Sequence, residues 1–397
     1  MALPKVSVTL KNGGLGQVAP SDDAVFGMIL NGLGTNNTPF LQPRQLFSPD
    51  DFEAWVTEAG MTTGPYVAEA RRQIKDFYLL AGNGAELFVM FVDGVATTTQ
   101  LFVDGHAASL MQASQGRIRL IGVTRFLAAE PAEPTLVEGI DAATANAIDE
   151  AHAFAQSYAN QNLPLRVLLE AKYFDGTAAT LRNLKGLTFN RVGLVLARNS
   201  TAATSCMGLL LGRLASIPVN RSIGRVKDGP VIGVDEAYLG PAAVKTLNDG
   251  YLGAIHDKGY IFLRKHLGRG GFYFNADPMA TADTDDYNRL NRGRVIDKAH
   301  RIAYDTFLNE LLDEVLVDED TGKIVPTTIK QYQARIERAI DLSMTANGEI
   351  SGVQAFVDPD QDILGTNTLN VDLRITPTGS NEQIKITLGL FNPQAAV

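Results

Sequence analysis

The sequence predicts two kinds of packing in one chain: an α/β body over residues 23–275, and an α+β domain over residues 276–397 that also takes in an N-terminal arm, residues 1–22. Three observations carry this. Between Val25 and Asn275, apolar runs of strand length alternate with helices that are apolar on one face, as expected of helices layered on a mainly parallel or mixed sheet. Beyond Asn275 the character changes to two long amphipathic helices followed by strands. Both ends of the chain also alternate apolar and polar residues at period two, at Val6, Val8 and Leu10 and again at Ile384, Ile386, Leu388 and Leu390. Exposed strands of that kind are templates for pairing with another chain, and the two ends are expected to link copies of the protein by strand addition.

Taken in order, the arm's strand leads into Gly13, Gly14 and Gly16 and then Pro20, a glycine-rich connector that reads as a hinge. Ala24 to Leu30 is the body's first strand. Ser48 is placed to cap a helix that begins at Pro49, and Asp50 and Asp51 suit the positive end of its dipole. A second helix, Tyr66 to Leu80, carries Val67, Ala70, Ile74, Phe77 and Leu80 on one face and stops at Gly82. Glu86 to Val92 and Arg117 to Val123 are mostly apolar and read as strands. A helix is expected from Ala142 to Gln161, strands at Leu165 to Ala171 and Arg191 to Ala197 with a small helix between them from Thr177 to Leu184, and a further helix from Cys206 to Ala215. In the C-terminal part a long helix spans Tyr287 to Val315, with Ile296, Ala299, Ala303, Phe307 and Leu311 on its stripe. After a turn at Asp318 to Gly322 comes a helix from Ile329 to Met344, apolar at Ile329, Tyr332, Ile336, Ala339 and Ser343. Strands at Ile350 to Asp358, Thr368 to Thr376 and Ile384 to Phe391 complete the chain.

Composition narrows the function. Of the 397 residues 45% are apolar and 20% charged, which supports a sizeable core and excludes a mostly disordered chain. The net charge of −9, with no basic stripe, argues against a nucleic-acid partner. That acidity sits in residues 276–397, which hold 11 Lys and Arg against 20 Asp and Glu; it reads equally as a docking face for a basic partner and as a solvated surface that serves solubility. A single cysteine, Cys206, excludes an internal disulfide framework and a cysteine-rich zinc site. With no signal-like N-terminus and no run of apolar residues long enough to span a bilayer, the chain reads as made in the cytosol and not inserted in a membrane.

No motif carries catalysis. Cys206 enters an apolar helix with no histidine near it in sequence, and reads as a small buried hydrophobe. His106, His152, His256, His266 and His300 lack zinc-site spacing. Asp358, Asp360 and Asp362 begin like a calcium loop, but Ile363 stands where the sharp turn needs glycine and Leu369 where the bidentate glutamate belongs. The glycine pairs around Gly32 and Gly268 match no phosphate-binding loop. No metal, cofactor or catalytic set is therefore expected. Asp283 to Arg294 is the densest charged cluster; Asp285, Asp286, Arg289, Arg292 and Arg294 read as a helix start and as candidate charge contacts to a neighbouring subunit, as do Arg335 and Arg338.

Several segments together resemble the contractile tail sheath proteins of bacteriophages and related contractile injection systems. They are Leu209 to Gly224, where a small-residue helix leads to Pro218-Val-Asn220; Asp249 to Ile261, a helix ending in glycine before a strand; the arginine-rich helix entry Tyr287 to Ala299; and Gly352 to Asp362, followed by a strand ending at Pro377 and a terminal alternation of Ile and Leu. The chain departs from the family's arginine-rich segment at Asn291 and Gly293. The resemblance implies an outer α/β body and an inner α+β domain built from both chain ends, with the strands around Val6 to Leu10 and Ile384 to Leu390 as linking arms. It implies a non-enzymatic virion structural protein that stacks as rings around a tail tube and contracts. Its partners would be copies of itself, the tail tube protein, baseplate and terminator proteins, and it would assemble in the host cytoplasm into a virion tail or injection particle. The competing reading is a cytosolic α/β enzyme or ligand-binding protein with its site at the carboxyl ends of the body strands.

Overall fold

The computed structural model describes residues 22–33, 42–60, 65–93, 96–126, 134–200 and 205–389. By its contacts the chain divides into two compact units, one up to Glu314 and one from Val315. The arm strand at Val6 to Leu10, the hinge glycines Gly13, Gly14 and Gly16, and Leu390 lie outside the described residues.

The first unit is built on a seven-stranded sheet of β1 (Phe26–Leu33), β2 (Arg44–Leu46), β3 (Leu87–Asp93), β4 (Leu120–Arg125), β5 (Arg166–Glu170), β6 (Val192–Val195) and β7 (Tyr260–Ile261), in the order β7-β6-β5-β4-β1-β3-β2. Six strands are parallel and only the edge strand β2 runs antiparallel. Met28 on β1 lies between Val89 on β3 and Gly122 on β4, which sets the register of the central strands. Both faces are covered, which is why these strands read as unbroken apolar runs. The helices on one face are α1 (Pro49–Glu58), α2 (Pro65–Ala81) and α6 (Met207–Ala215); those on the other are α3 (Thr98–Val103), α4 (His106–Ala113) and α5 (Ile148–Ala159). Two glycines fix this assignment. A Cβ on Gly27 would meet Leu110 of α4, whereas one on Gly122, which points the opposite way, would meet Met207 and Leu211 of α6.

Local signals place α1 as expected: Ser48 Oγ accepts the Asp51 N–H at 3.3 Å and Asp51 returns a bond to the Ser48 N–H at 2.9 Å, a reciprocal cap. Helices α2 and α6 approach more closely than ordinary side chains allow. A Cβ on Gly208 would lie 2.0 Å from the Gln73 carbonyl and one on Gly212 2.4 Å from that of Phe77, so only glycine lets the two backbones meet. Gln73, buried in that seam, accepts the Gly208 N–H at 2.7 Å and donates to the Ser205 carbonyl at 2.7 Å.

Within residues 23–275 the structure corrects three sequence expectations. The helix expected from Ala142 to Gln161 is a short turn, Ala142–Ala145, and α5, because Thr144 donates to the Glu170 carbonyl at 2.9 Å and ties the first turn to the end of β5. No helix forms from Thr177 to Leu184. There the Arg182 and Leu184 N–H groups bond the carbonyls of Glu138 and Lys258 at 3.0 Å each, and Lys258 Nζ takes the Ala179 and Leu181 carbonyls, leaving only a 3-10 turn, Leu184–Gly186. Two helices that the sequence reading did not place, α3 and α4, fill residues 98–113.

After α7 (Asp249–Asp257), the long helix α8 runs Leu290–Leu308 and packs with the first unit. Its buried stripe is Leu290, Gly293, Arg294, Val295, Asp297 and Ala299, rotated from the apolar stripe expected, and Leu311 is exposed beyond its end. The rotation has a cause: α8 turns charged groups inward. Arg166, on β5, donates to Asp297 through Nε at 2.8 Å and Nη2 at 3.3 Å, and Arg191 adds a contact at 3.3 Å. Gly293 makes room for this pair, since a Cβ there would sit 2.0 Å from Arg166 Cζ.

The second unit consists of α9 (Pro326–Ile340), extended by a single π turn at Asp341–Thr345, and an antiparallel hairpin of β8 (Ile350–Val357) and β9 (Val371–Pro377). Ile329, Tyr332, Ile336, Ile340 and Met344 are buried. Ile340 and Met344 replace the expected Ala339 and Ser343 because the last buried positions follow one another every four residues, a slower rotation that ends in the π turn. Residues 384–389 form no strand, contrary to the expectation for the third C-terminal strand.

Candidate assembly surfaces

The hairpin of β8 and β9 leaves main-chain strand edges open. In β8 the pairs Val353–Ile375, Ala355–Leu373 and Val357–Val371 form a buried and half-buried face, while Gln354, Phe356, Asp372 and Arg374 are exposed on the other. Among the described residues the sheet has two strands only, so each has an outer edge with no strand beside it. A two-stranded ribbon is marginal in water and gains from a third strand. Along the β8 side runs a groove of about 640 Å³ lined by Lys330, Gln333, Ala334 and Glu337 of α9 and by Gln354, Ala355, Phe356 and Arg374. The helix residues recur at i, i+3, i+4 and i+7, one stripe beside the apolar one. This surface was missed in the sequence, where Arg335 and Arg338 drew attention instead; the signal was the polar stripe itself.

Beyond the hairpin, Ile384, Ile386 and Leu388 are 74%, 75% and 90% exposed. These three large apolar side chains stand at alternate positions, the period of a strand, and none of them is buried or part of a strand.

The charged cluster is put to several uses. Asp285 organises its own turn, accepting from Thr281 Oγ1 at 3.0 Å, the Tyr287 N–H at 2.7 Å and Asn190 Nδ2 at 3.0 Å. Asp283 pairs with Lys185 at 2.9 Å. Arg289 precedes α8 and bridges to Pro278 through the backbone. Arg294 lies inside the protomer, 7% exposed, with Nη2 on the Leu214 carbonyl at 3.2 Å and its guanidinium over Phe26. Asp286 and Arg292 are exposed, Arg292 donating to Asn288 at 3.3 Å; Arg335 and Arg338 are exposed on α9.

The carboxyl ends of the sheet strands are where an α/β enzyme would hold its ligand. There Glu170 is buried and accepts from Thr124 Oγ1 at 2.7 Å, the Arg125 N–H at 2.7 Å and the Ser205 N–H at 2.6 Å; burial pushes its pKa up. Lys172, also buried, donates to the Arg125 carbonyl at 3.1 Å. Nearby Arg72 holds Glu69 and Asp76, and burial raises Asp76 to about 6. These groups bond one another and join the ends of β4, β5 and α6, which is a structural use of buried polarity.

Other residues singled out in the sequence also have structural partners. Cys206 is fully buried and its thiol is pushed up to about 12 by burial. His256 contacts Asn275 at 3.1 Å and His300 contacts Asn162 at 3.0 Å. Asp358 accepts the Asp360 N–H at 2.9 Å and Asp362 caps the turn Ile363–Thr366. Among the described residues no cluster of His, Cys, Asp and Glu is placed to hold a metal, and no helix is long and apolar enough to cross a membrane.

Two family models match the chain: DUF2586, N-terminal domain, over residues 3–277, and DUF2586, C-terminal domain, over residues 286–395. No match was found among curated proteins. Among solved structures, a chain of the 6-fold symmetrised baseplate of the anti-feeding prophage is similar with a TM-score of 0.62 at 12% identity, covering 99% of this chain and 100% of that one. The helical sheath of the anti-feeding prophage in its contracted state gives 0.62 at 14%, covering 98% and 99%. A sheath tail protein from Desulfitobacterium hafniense gives 0.54 at 10%, covering 95% and 97%. Over nearly its whole length, then, the chain has the fold of contractile sheath proteins.

Proposed function

The chain belongs to the DUF2586 family, and from that and the shared fold we propose that it is the structural subunit of a contractile sheath. Copies of the chain polymerise as stacked rings around a tail tube, and contraction drives the tube through a target cell envelope. The role is non-catalytic. Its partners are other copies of itself, a tube protein, and baseplate and terminator proteins, and it acts in a virion tail or an injection particle assembled in the bacterial cytoplasm. Residues 276–397 and the arm of residues 1–22 form the domain next to the tube, and strands around Val6 to Leu10 and Ile384 to Leu390 link neighbours, with Gly13, Gly14 and Gly16 as hinge.

The observation that carries this reading is the hairpin: two open edges in a chain that also presents Ile384, Ile386 and Leu388 to solvent. Main-chain bonds of a donated strand survive rotation of the bodies at either end, which is what a contracting lattice needs. Purified full-length protein should form hollow tubes or rings in negative-stain electron micrographs, and deletion of residues 1–12 should abolish them. A full-length protein that stays monomeric at high concentration would sink the proposal.

A further inference from the structure

The open edge of β8 is not empty. Glu337, on α9, accepts the Ala355 N–H at 2.8 Å through Oε1. Because Ala355 donates to a helix side chain, its N–H points away from β9, and by the two-residue repeat of a strand so do those of Val353 and Val357. Those groups are the ones an added strand would bond, and Glu337 occupies the middle one. A charged side chain set on an edge donor is a recognised way of protecting a sheet from unwanted pairing. Here the carboxylate also stands in the groove the new strand would enter, with Lys330 one end of the stripe and Glu337 the other.

We propose that Glu337 is a latch on the assembly edge: in the free subunit its carboxylate holds the Ala355 N–H, and strand addition from a second copy must displace it. This rests on the sheath reading and names how its lattice contact is restrained. The occupant is the segment 382–389 of another copy. Its exposed Ile384, Ile386 and Leu388 recur at the spacing of the half-buried Val353 and Ala355 and the buried Val357, so adding it to β8 extends the face that packs over α9. In the joined state a carbonyl of the incoming strand takes over the Ala355 N–H and the Glu337 side chain returns to water. The exchange replaces one hydrogen bond with another at that site, so the latch slows and weakens joining without forbidding it.

The test uses the full-length chain with Glu337→Ala and Glu337→Gln. Alanine frees the edge donor, while glutamine keeps an acceptor but loses the charge that strengthens the bond. Critical concentration for polymerisation, followed by light scattering with micrographs to identify tubes or rings, should fall by roughly tenfold in Glu337→Ala and by less in Glu337→Gln. Amide exchange at Ala355 in the unassembled subunit should be faster in Glu337→Ala than in wild type. Unchanged exchange means that no latch contact exists, and an unchanged or raised critical concentration means that the contact restrains nothing; either overturns the inference while leaving the sheath reading standing. If neither wild type nor variant polymerises, both fall.

Discussion

At the scale of single residues, the positions that matter most are those where the structure leaves no room. Gly293 is one. Alanine there must push the Arg166 guanidinium off Asp297, leaving a carboxylate that is 5% exposed without its main partner. Gly293→Ala should therefore lose about 3–5 kcal/mol of stability in urea unfolding; a loss under about 1 kcal/mol would mean that the pair relocates intact. Asp76 makes a second, pH-dependent prediction. Its pKa is raised from 3.8 to about 6 because burial penalises the carboxylate more than Arg72 rewards it. A carboxyl raised on folding takes up a proton, so its contribution favours the folded state at low pH and is lost as pH rises through about 6. Thermal melts of wild type should gain stability between pH 7 and pH 5 relative to Asp76→Asn, and parallel curves would refute the shift.

Among secondary-structure elements, α9 holds the second unit together by burying one stripe against β8. Truncating Ile336, its fully buried centre, to alanine should cost about 2–5 kcal/mol in that unit, detectable as an early unfolding transition. The elements also mark where sequence reading worked. The helix at Ser48 was legible because its cap is local, a serine and an aspartate three residues apart. The same kind of signal, Thr97 with Gln100, stands before α3, where it forms a full capping box, but α3 has only six residues and shows little periodicity. The helix expected at Thr177 failed for the opposite reason. Its backbone groups are spent on Glu138 and Lys258, residues remote in sequence, and no local pattern announces that. The buried stripe of α8 was misjudged because Arg294 and Asp297, buried here, read as surface residues.

For the molecule as a whole, assembly should be separable from folding. Truncation before Glu382 removes a segment whose described side chains, residues 382–389, are exposed, so the shortened chain should melt with the full-length protein yet fail to polymerise, as measured by thermal unfolding and sedimentation. A truncated chain that still forms tubes would place the linking strand elsewhere. The excess of acid in residues 276–397 predicts a basic partner surface, and binding to the tube should weaken as salt rises and the screening length falls to about 10 Å near 0.1 M. Binding insensitive to salt would point to an apolar contact.

By itself the sequence determined the class of packing, the order of most strands and helices, and the strand-like patterning of the terminal segments. Those properties are written in local periodicity and capping, which a linear reading can follow. Only the tertiary structure decided that Arg166 and Asp297 pair in the core behind Gly293, that α2 and α6 touch at Gly208 and Gly212, and that the β8 edge is open but covered at one point by Glu337. Each of these depends on residues far apart in the chain meeting in space. A glutamate on a helix and an amide on a strand carry no mark in sequence of the bond between them.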